Sequence, residues 1–327
     1  MKQIRALGLS SLGLAVLASC RNTALKMSCS QLVVDRIDPL VNPGILGSPH
    51  LHQLVGGNSL NATMHPAEDR AELSTCTTCT FSDDFSNYWT AIMYFRARNG
   101  TYKRVKQIGT IGSETARGGG ITIYYFPHSK DPTNMVAFKK GFRMRNGDPN
   151  ARNATSASKT VAFPDHMGPE GIIATIYFPP CWDGINLNSP DHYSHVSWPN
   201  EGKYDEGGPC PATHPVKIPQ IVLEIRWDTR EFNSADLWPE DGSQPFVWSF
   251  GDTTGYGHHG DYVFGWRGES LVIAFSDDEG CAGAGNTLCT LGPQTIARAN
   301  ECQVAPSVKE EVDGWLATMP GIVEAEL

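Results

Sequence analysis

Alternation of apolar and polar positions is the strongest signal in the chain. Residues 89–98 place Trp89, Ala91, Met93 and Phe95 on one side and Thr90, Ile92, Tyr94 and Arg96 on the other. A period of two is that of an extended strand, whose successive side chains point to opposite faces. Residues 220–227 alternate in the same way, and shorter apolar runs at 31–35, 121–126, 135–138 and 171–178 predict further strands. Two aromatic runs, 246–250 and 261–266, flank a loop that carries Gly251, Gly255, Gly257 and Gly260. Helical signals are few. Residues 67–73 predict a short helix. Residues 308–319 predict another, with Ser307 as N-cap and Pro320-Gly321 as the stop. Short strands at short intervals, separated by glycine and proline turns, predict a mainly β fold. The expected architecture is an antiparallel β-sandwich or jelly-roll-like arrangement with short peripheral helices and disulfides.

Composition narrows this picture. The chain has 327 residues, 40% of them hydrophobic, enough for one large core. There is no internal repeat, no heptad pattern and no composition shift that marks a linker. The first residues read as an export signal: Lys2 and Arg5, then an apolar run over 6–18, then small residues. That run is too short to span a bilayer. Cleavage is expected after Cys20 or nearer Ala24, which divides the chain into a signal peptide (1–24) and a single secreted β-rich domain (25–327). Leu17-Ala18-Ser19-Cys20 also matches a bacterial lipoprotein box, in which Cys20 would carry lipid. The Asn-x-Ser/Thr sequons at Asn61, Asn99 and Asn153 fit eukaryotic secretion better and are expected glycosylation sites. The expected location is extracellular or in a cell wall. The formal charge of −9 argues against nucleic acid and anionic membrane surfaces as partners. A monomer is expected.

Without Cys20, eight cysteines remain: Cys29, Cys76, Cys79, Cys181, Cys210, Cys281, Cys289 and Cys302. An even number in an exported chain implies up to four disulfides, whose pairing spacing alone does not reveal. Cys76-Thr-Thr-Cys79 has the spacing of a redox or zinc motif. No second such pair lies within zinc-ribbon distance, so a structural bridge is expected.

Candidate chemistry gathers in three polar segments: His50/His52, Asp191/His192/His195, and Asp252/Tyr256/His258/His259/Asp261. Together they hold six of the ten histidines. His50 and His52 would share one face of an extended chain. Imidazoles serve as general bases or metal ligands, and carboxylates orient them or protonate a leaving oxygen. On this basis His52, His195, His259, Asp191 and Asp261 are the expected catalytic residues. His50, Lys140, Arg143, Trp182, Asp183, Asp252 and Tyr256 are the expected substrate contacts. A divalent metal on His50, His52, His195 and His259 is one reading of the cofactor, whose identity stays open. Trp182, Trp198, Trp248 and Trp266 could stack on sugars or fill the core; at least two are expected in the core. The basic run at 139–145 reads either as a solvated edge strand or as a patch for carboxylate or hydroxyl groups. No nucleophile elbow, phosphate loop, dinucleotide fingerprint or His-Glu-x-x-His helix is present.

Seven ordered motifs carry a resemblance: Asp35-Arg36-Ile37-Asp38-Pro39; Ser48-Pro49-His50-Leu51-His52-Gln53 with Gly56-Gly57-Asn58; Phe85-Ser86-Asn87-Tyr88-Trp89-Thr90; Lys140-Gly141-Phe142-Arg143-Met144; Cys181-Trp182-Asp183-Gly184; Ser189-Pro190-Asp191-His192 with Ser194-His195-Val196; and His259-Gly260-Asp261-Tyr262. On these the chain resembles the fungal secreted family called domain of unknown function nineteen-ninety-six. The likeness covers about 31–266 and leaves 267–327 as a cysteine-containing extension. It implies a secreted protein without a stated biochemical role, and it favours His259 over His258 as the site residue. The leading expectation is a carbohydrate-active enzyme, a glycoside hydrolase or polysaccharide lyase, acting on an extracellular or cell-wall polysaccharide through a His/Asp cluster. The alternatives are a non-catalytic wall or sugar-binding protein using the same residues for a ligand or metal, and a purely structural role.

Overall fold

In the computed structural model, residues 24–109, 117–127, 135–154, 161–168, 170–202, 207–276 and 292–322 are described. In chain order the strands are β1 (Leu25–Ser30), β2 (Val33–Asp35), β3 (His52–Gly56), β4 (Asn87–Ala91), β5 (Met93–Arg96), β6 (Tyr102–Arg104), β7 (Gly120–Phe126), β8 (Arg143–Asn146), β9 (Ile172–Tyr177), β10 (Cys181–Trp182), β11 (Val196–Ser197), β12 (Val216–Lys217), β13 (Gln220–Trp227), β14 (Phe246–Trp248), β15 (Gly260–Val263) and β16 (Trp315–Leu316). They form antiparallel sheets in the orders β1-β7-β13-β9, β2-β3-β4-β15-β8, β14-β5-β6-β16 and β11-β10-β12. The protein is mainly β, and among the described residues no sheet closes into a barrel.

The alternation read from the sequence decides how the first two sheets meet. Ile221, Leu223 and Ile225 of β13 and Ile121, Ile123 and Tyr125 of β7 are fully buried. They share one core with Val55, Tyr88, Tyr262 and Met144 of the five-stranded sheet. Tyrosine hydroxyls stitch this layer. Tyr88 lies 2.5 Å from Tyr125, and Tyr88 donates to Asp84 at 2.7 Å. The five-stranded sheet has a second buried face, where Leu54, Trp89 and Val263 pack under Ile37, Leu40 and Met64. The site lies on this second face.

The strand expected over 89–98 breaks at Ile92. Its amide hydrogen-bonds to Leu51 and its carbonyl to Ser249, so the chain passes there from one sheet to another. The segment 135–138 forms no ladder; the Val136 amide donates to the Lys217 carbonyl. The helix expected over 308–319 does not form. Gly314 sits at φ 86°, in the left-handed region, midway along it. Side-chain anchors hold the segment instead: the Asp35 carboxylate accepts from the Ser307 and Val308 amides, Arg36 pairs with Glu310 at 2.7 Å, and Arg104 pairs with Asp313 at 2.7 Å. Helix α1 (Arg70–Leu73) falls inside the predicted 67–73, capped by Asp69, whose carboxylate accepts from Ala71 and Glu72. Asp69→Ala is expected to cost about 1 kcal/mol in denaturant unfolding. Two further short helices, α2 (Ser270–Ser276) and α3 (Ile296–Ala299), lie in the C-terminal part.

Among the described residues there are three disulfides: Cys29–Cys79, Cys76–Cys302 and Cys181–Cys210. Cys76 and Cys79 therefore bond to different partners, and both are structural. The Cys76–Cys302 bridge ties the C-terminal extension to the core. Cys281, Cys289 and Cys20 lie outside the described residues.

Candidate metal centre

Strand register brings His52 and His259 together. His52 of β3 pairs with Ala91 of β4, and Gly260 of β15 pairs with Thr90. His259, one residue earlier, therefore falls level with Ala91 and His52. Strands two apart in a sheet are about 9.6 Å apart. The single methyl of Ala91 between them lets the two rings lean inward, to 6.4 Å between centroids. His50, at the end of the loop entering β3, completes the group. Its ring lies 4.3 Å from that of His52 and 5.2 Å from that of His259. One nitrogen from each of the three lies within 4.8 Å of the other two.

Backbone carbonyls orient two of the rings. His52 Nδ1 is 3.0 Å from the Ile37 carbonyl, and His259 Nδ1 is 2.9 Å from the Gly257 carbonyl. A carbonyl only accepts, so each Nδ1 carries the proton and each Nε2 presents a lone pair. The Nε2 of His52 is buried without a partner. The Nε2 of His259 meets that of His50 at 3.2 Å. Bonds of 2.0–2.1 Å to a tetrahedral ion place two ligating nitrogens about 3.3 Å apart. A carbonyl behind the ligating imidazole is the usual second support of such a ligand.

Burial keeps the imidazoles neutral, the form that ligates. It lowers His259 to about 4 and, reinforced by the neighbouring rings, holds His50 well below the usual histidine range. His52 is lowered by burial too, against the opposing charges of Asp38 and Asp35. His50 is half-buried, whereas His52 and His259 are buried, so the centre opens past His50.

Other groups surround the centre. The buried Asp38 accepts from the Leu40 and Val41 amides through one oxygen. Asp261 lies on the face of His259; its Oδ1 is buried without a partner, and burial pushes its carboxyl well above the usual range. Arg145 is opposite Asp261 in the register. His192 sits at φ 58°, unusual for a residue with a Cβ, with Nδ1 2.6 Å from Asn188 Oδ1.

The remaining expected site residues do not join the three. His195, expected as a ligand, has Nδ1 against Ser189 Oγ at 2.9 Å and its ring against Phe142 at 5.4 Å. Ser189 in turn donates to Asp191 at 2.7 Å. Burial raises Asp191, but hydrogen bonds from Ser189, Ser194 and Tyr193 outweigh it and hold its carboxyl well below the usual range. That carboxylate closes a turn. Asp183 does likewise, accepting from the Ile185 and Asn186 amides. Asp252 holds the glycine loop by accepting from Thr254 and Gly257. Tyr256 in that loop is half-buried. Lys140 lies 3.7 Å from Asp69. Trp182, Trp248 and Trp266 are buried, which leaves no open stacking face on them, while Trp198 is half-buried. His258 is a core residue: it stacks on Trp248 at 4.3 Å and meets the Thr90 hydroxyl at 2.9 Å. Asp38 is a neighbour of the centre that was not singled out as a site residue, whereas His192 and Arg145 stood in the Asp191/His192/His195 segment and the basic run 139–145 without an assigned role. The groove between Arg96, Tyr102, Pro239 and Gln244 is lined by none of the three histidines.

The fold and site define an antiparallel β protein with a three-imidazole centre beneath the β2–β3 loop. The family described as Domain of unknown function (DUF1996) matches residues 38–266, which include every residue of that centre. The chain belongs to this family. No match was found among curated proteins or among solved structures.

Proposed function

We propose that the protein is an exported enzyme that binds a divalent metal on His50, His52 and His259 and acts on an extracellular or cell-wall polysaccharide, by hydrolysis or lyase chemistry. The observation that carries this reading is the convergence of three neutral imidazoles, two of them fixed by backbone carbonyls. Held by these three nitrogens, such an ion would offer a position to water or a substrate oxygen and would lower the pKa of bound water to about 7. Asp38 stands beside His52 as a carboxylate to orient such a water. Three disulfides, the exposed sequons at Asn61, Asn99 and Asn153, and the basic-then-apolar N-terminal stretch support export and glycosylation. Among the described residues no helix is long and apolar enough to cross a membrane.

The depth of His52 and His259 supports a second reading, in which the metal only fastens the loop to the sheet of a non-catalytic wall-binding protein. The test is a screen of purified protein against fungal, plant and bacterial wall polymers, with metal content measured and His52→Ala and His259→Ala alongside. Product release that depends on both histidines and disappears with chelator is the expected result. Activity surviving in both variants removes this centre from the chemistry. Stoichiometric metal with a raised Tm and no turnover on any polymer selects the second reading.

A further inference from the structure

Resting on the polysaccharide reading above, we propose that Arg143 and Arg145 receive the carboxylates of the substrate, and that the polymer is therefore uronate-rich. Both arginines lie on β8, two residues apart and hence on one face of the sheet. The register places that face with Asp261 and Val263 of β15, and so with His259 two residues before Asp261. Arg145 is the nearer of the two, its charge acting on His259, while Arg143 lies further along the same face with its guanidinium against the Met64 carbonyl.

Arg143 is buried and Arg145 half-buried, and the bonding of both is unusual for cations. Arg143 is 5% exposed and donates through Nη1 to the Met64 carbonyl at 2.8 Å, while its Nε is buried without a partner. Arg145 donates through Nε to the Asp191 carbonyl at 2.9 Å and through Nη1 to the Gly147 carbonyl at 3.3 Å. Among the described residues neither forms an ion pair with a carboxylate. Backbone carbonyls fix the planar forks without cancelling their charge. A sheltered guanidinium without a counter-ion carries a desolvation cost, which an anionic ligand offsets by charge-assisted, bidentate bonding.

The acids beside Arg145 leave its charge in place, while Arg143 also feels the charge of Glu68, which is paired with Arg70. Burial, reinforced by the charge of Asp38, pushes the carboxyl of Asp261, opposite Arg145, well above the usual carboxylate range. One oxygen of Asp38 is already taken by the Leu40 and Val41 amides. Arg143 is lowered by burial and by Arg70, to about 10, and so stays charged at neutral pH. His192 offers its carbonyl to the Arg145 amide, and its Nδ1 faces an amide oxygen, which leaves Nε2 as an acceptor. The chain as a whole carries −9, so an attraction for polyanions is not a property of its overall charge.

The experiment is equilibrium binding of polygalacturonate, dextran sulfate and a neutral β-glucan to metal-free and zinc-loaded full chain, across a salt series. Wild type, Arg145→Gln, Arg145→Lys and a distant control, Lys103→Gln, are compared, with circular dichroism confirming that each is folded. The expected result is binding of polygalacturonate and not of β-glucan, weakened at least tenfold by Arg145→Gln. Arg145→Lys should recover part of the loss, and Lys103→Gln should change nothing. Preference for β-glucan overturns the inference. So does polygalacturonate binding that Arg145→Gln leaves intact, or dextran sulfate bound equally well and independently of Arg145. Arg145-dependent binding without turnover supports the inference while counting against the enzyme reading. Turnover of a neutral polymer alone does the reverse.

Discussion

Wild-type protein is expected to bind one zinc ion per chain, and His259→Ala to weaken that binding at least 100-fold, while His258→Asn leaves it intact. The two histidines are neighbours in sequence but face different surroundings. His259 presents its Nε2 to His50 at 3.2 Å, with its other nitrogen held by Gly257. His258 lies flat on Trp248 and spends its Nε2 on Thr90. Loss of a supporting group alone typically costs 10–100-fold in metal affinity, and loss of a ligand costs more. Zinc at about 1,000 times its Kd should also stabilise the wild type by about 4 kcal/mol, through binding only the folded state. The same addition should leave His259→Ala unmoved. Calorimetric titration and thermal unfolding in paired zinc-loaded and chelated samples measure both effects. Equal zinc affinity in wild type and His259→Ala would show that the three rings do not form the centre.

Metal-free protein is expected to lose stability steeply as pH falls from about 6.5 towards 3. Burial lowers His258 to about 3 and His259 to about 4, while an unfolded chain holds histidine near 6.5. Between these values the unfolded state binds protons that the folded state refuses. Stability from these groups is therefore complete above pH 6.5 and lost as pH falls through the folded-state values. For His258 alone the shift corresponds to on the order of 5 kcal/mol. Asp84 acts in the opposite direction. Burial, outweighing hydrogen bonds from Ser86 and Tyr88, raises its carboxyl to about 6. Its contribution is complete below about pH 4 and lost as pH rises through 6, on the order of 3 kcal/mol. Tm against pH should thus fall on the acid side, less steeply in His258→Asn and more steeply in Asp84→Asn. A flat profile from pH 4 to 6.5 in chelated wild type would overturn this account.

The acid limb and the metal titration rest on the same feature, histidines held neutral by burial. Sequence patterning reached part of that feature. His50 and His52 are two residues apart, which in an extended chain means one face, and the structure has their rings in contact. His259 was favoured over His258 only through family likeness, because nothing in the local pattern separates two adjacent histidines in a glycine loop. Their separation comes from one residue of register, which turns His259 to the loop-covered face and His258 onto Trp248. His195 illustrates the converse. Its segment has the composition of a site, yet the ring is spent on Ser189 and Phe142. Asp38 escaped notice as a site residue because an Asp-Pro step reads as a turn. Its place beside His52 depends on β2 pairing with β3 and returning Ile37 to the imidazole.

The helix expected over 308–319 was lost for a related reason. Its apolar spacing is real, but Gly314 and anchors supplied by Asp35, Arg36 and Arg104 hold the chain extended, and those partners lie more than 200 residues away.

Taken by itself, the sequence determined the β class, most strand positions and the set of histidines available for chemistry. All of these depend on side-chain period and residue type, which are local properties. Tertiary structure decided which cysteines pair, which histidines meet, which carboxylates are spent on turns and which arginines keep an uncancelled charge. Those outcomes depend on strand order and register, set by burying two faces of one sheet at once, and no short stretch of chain carries that information.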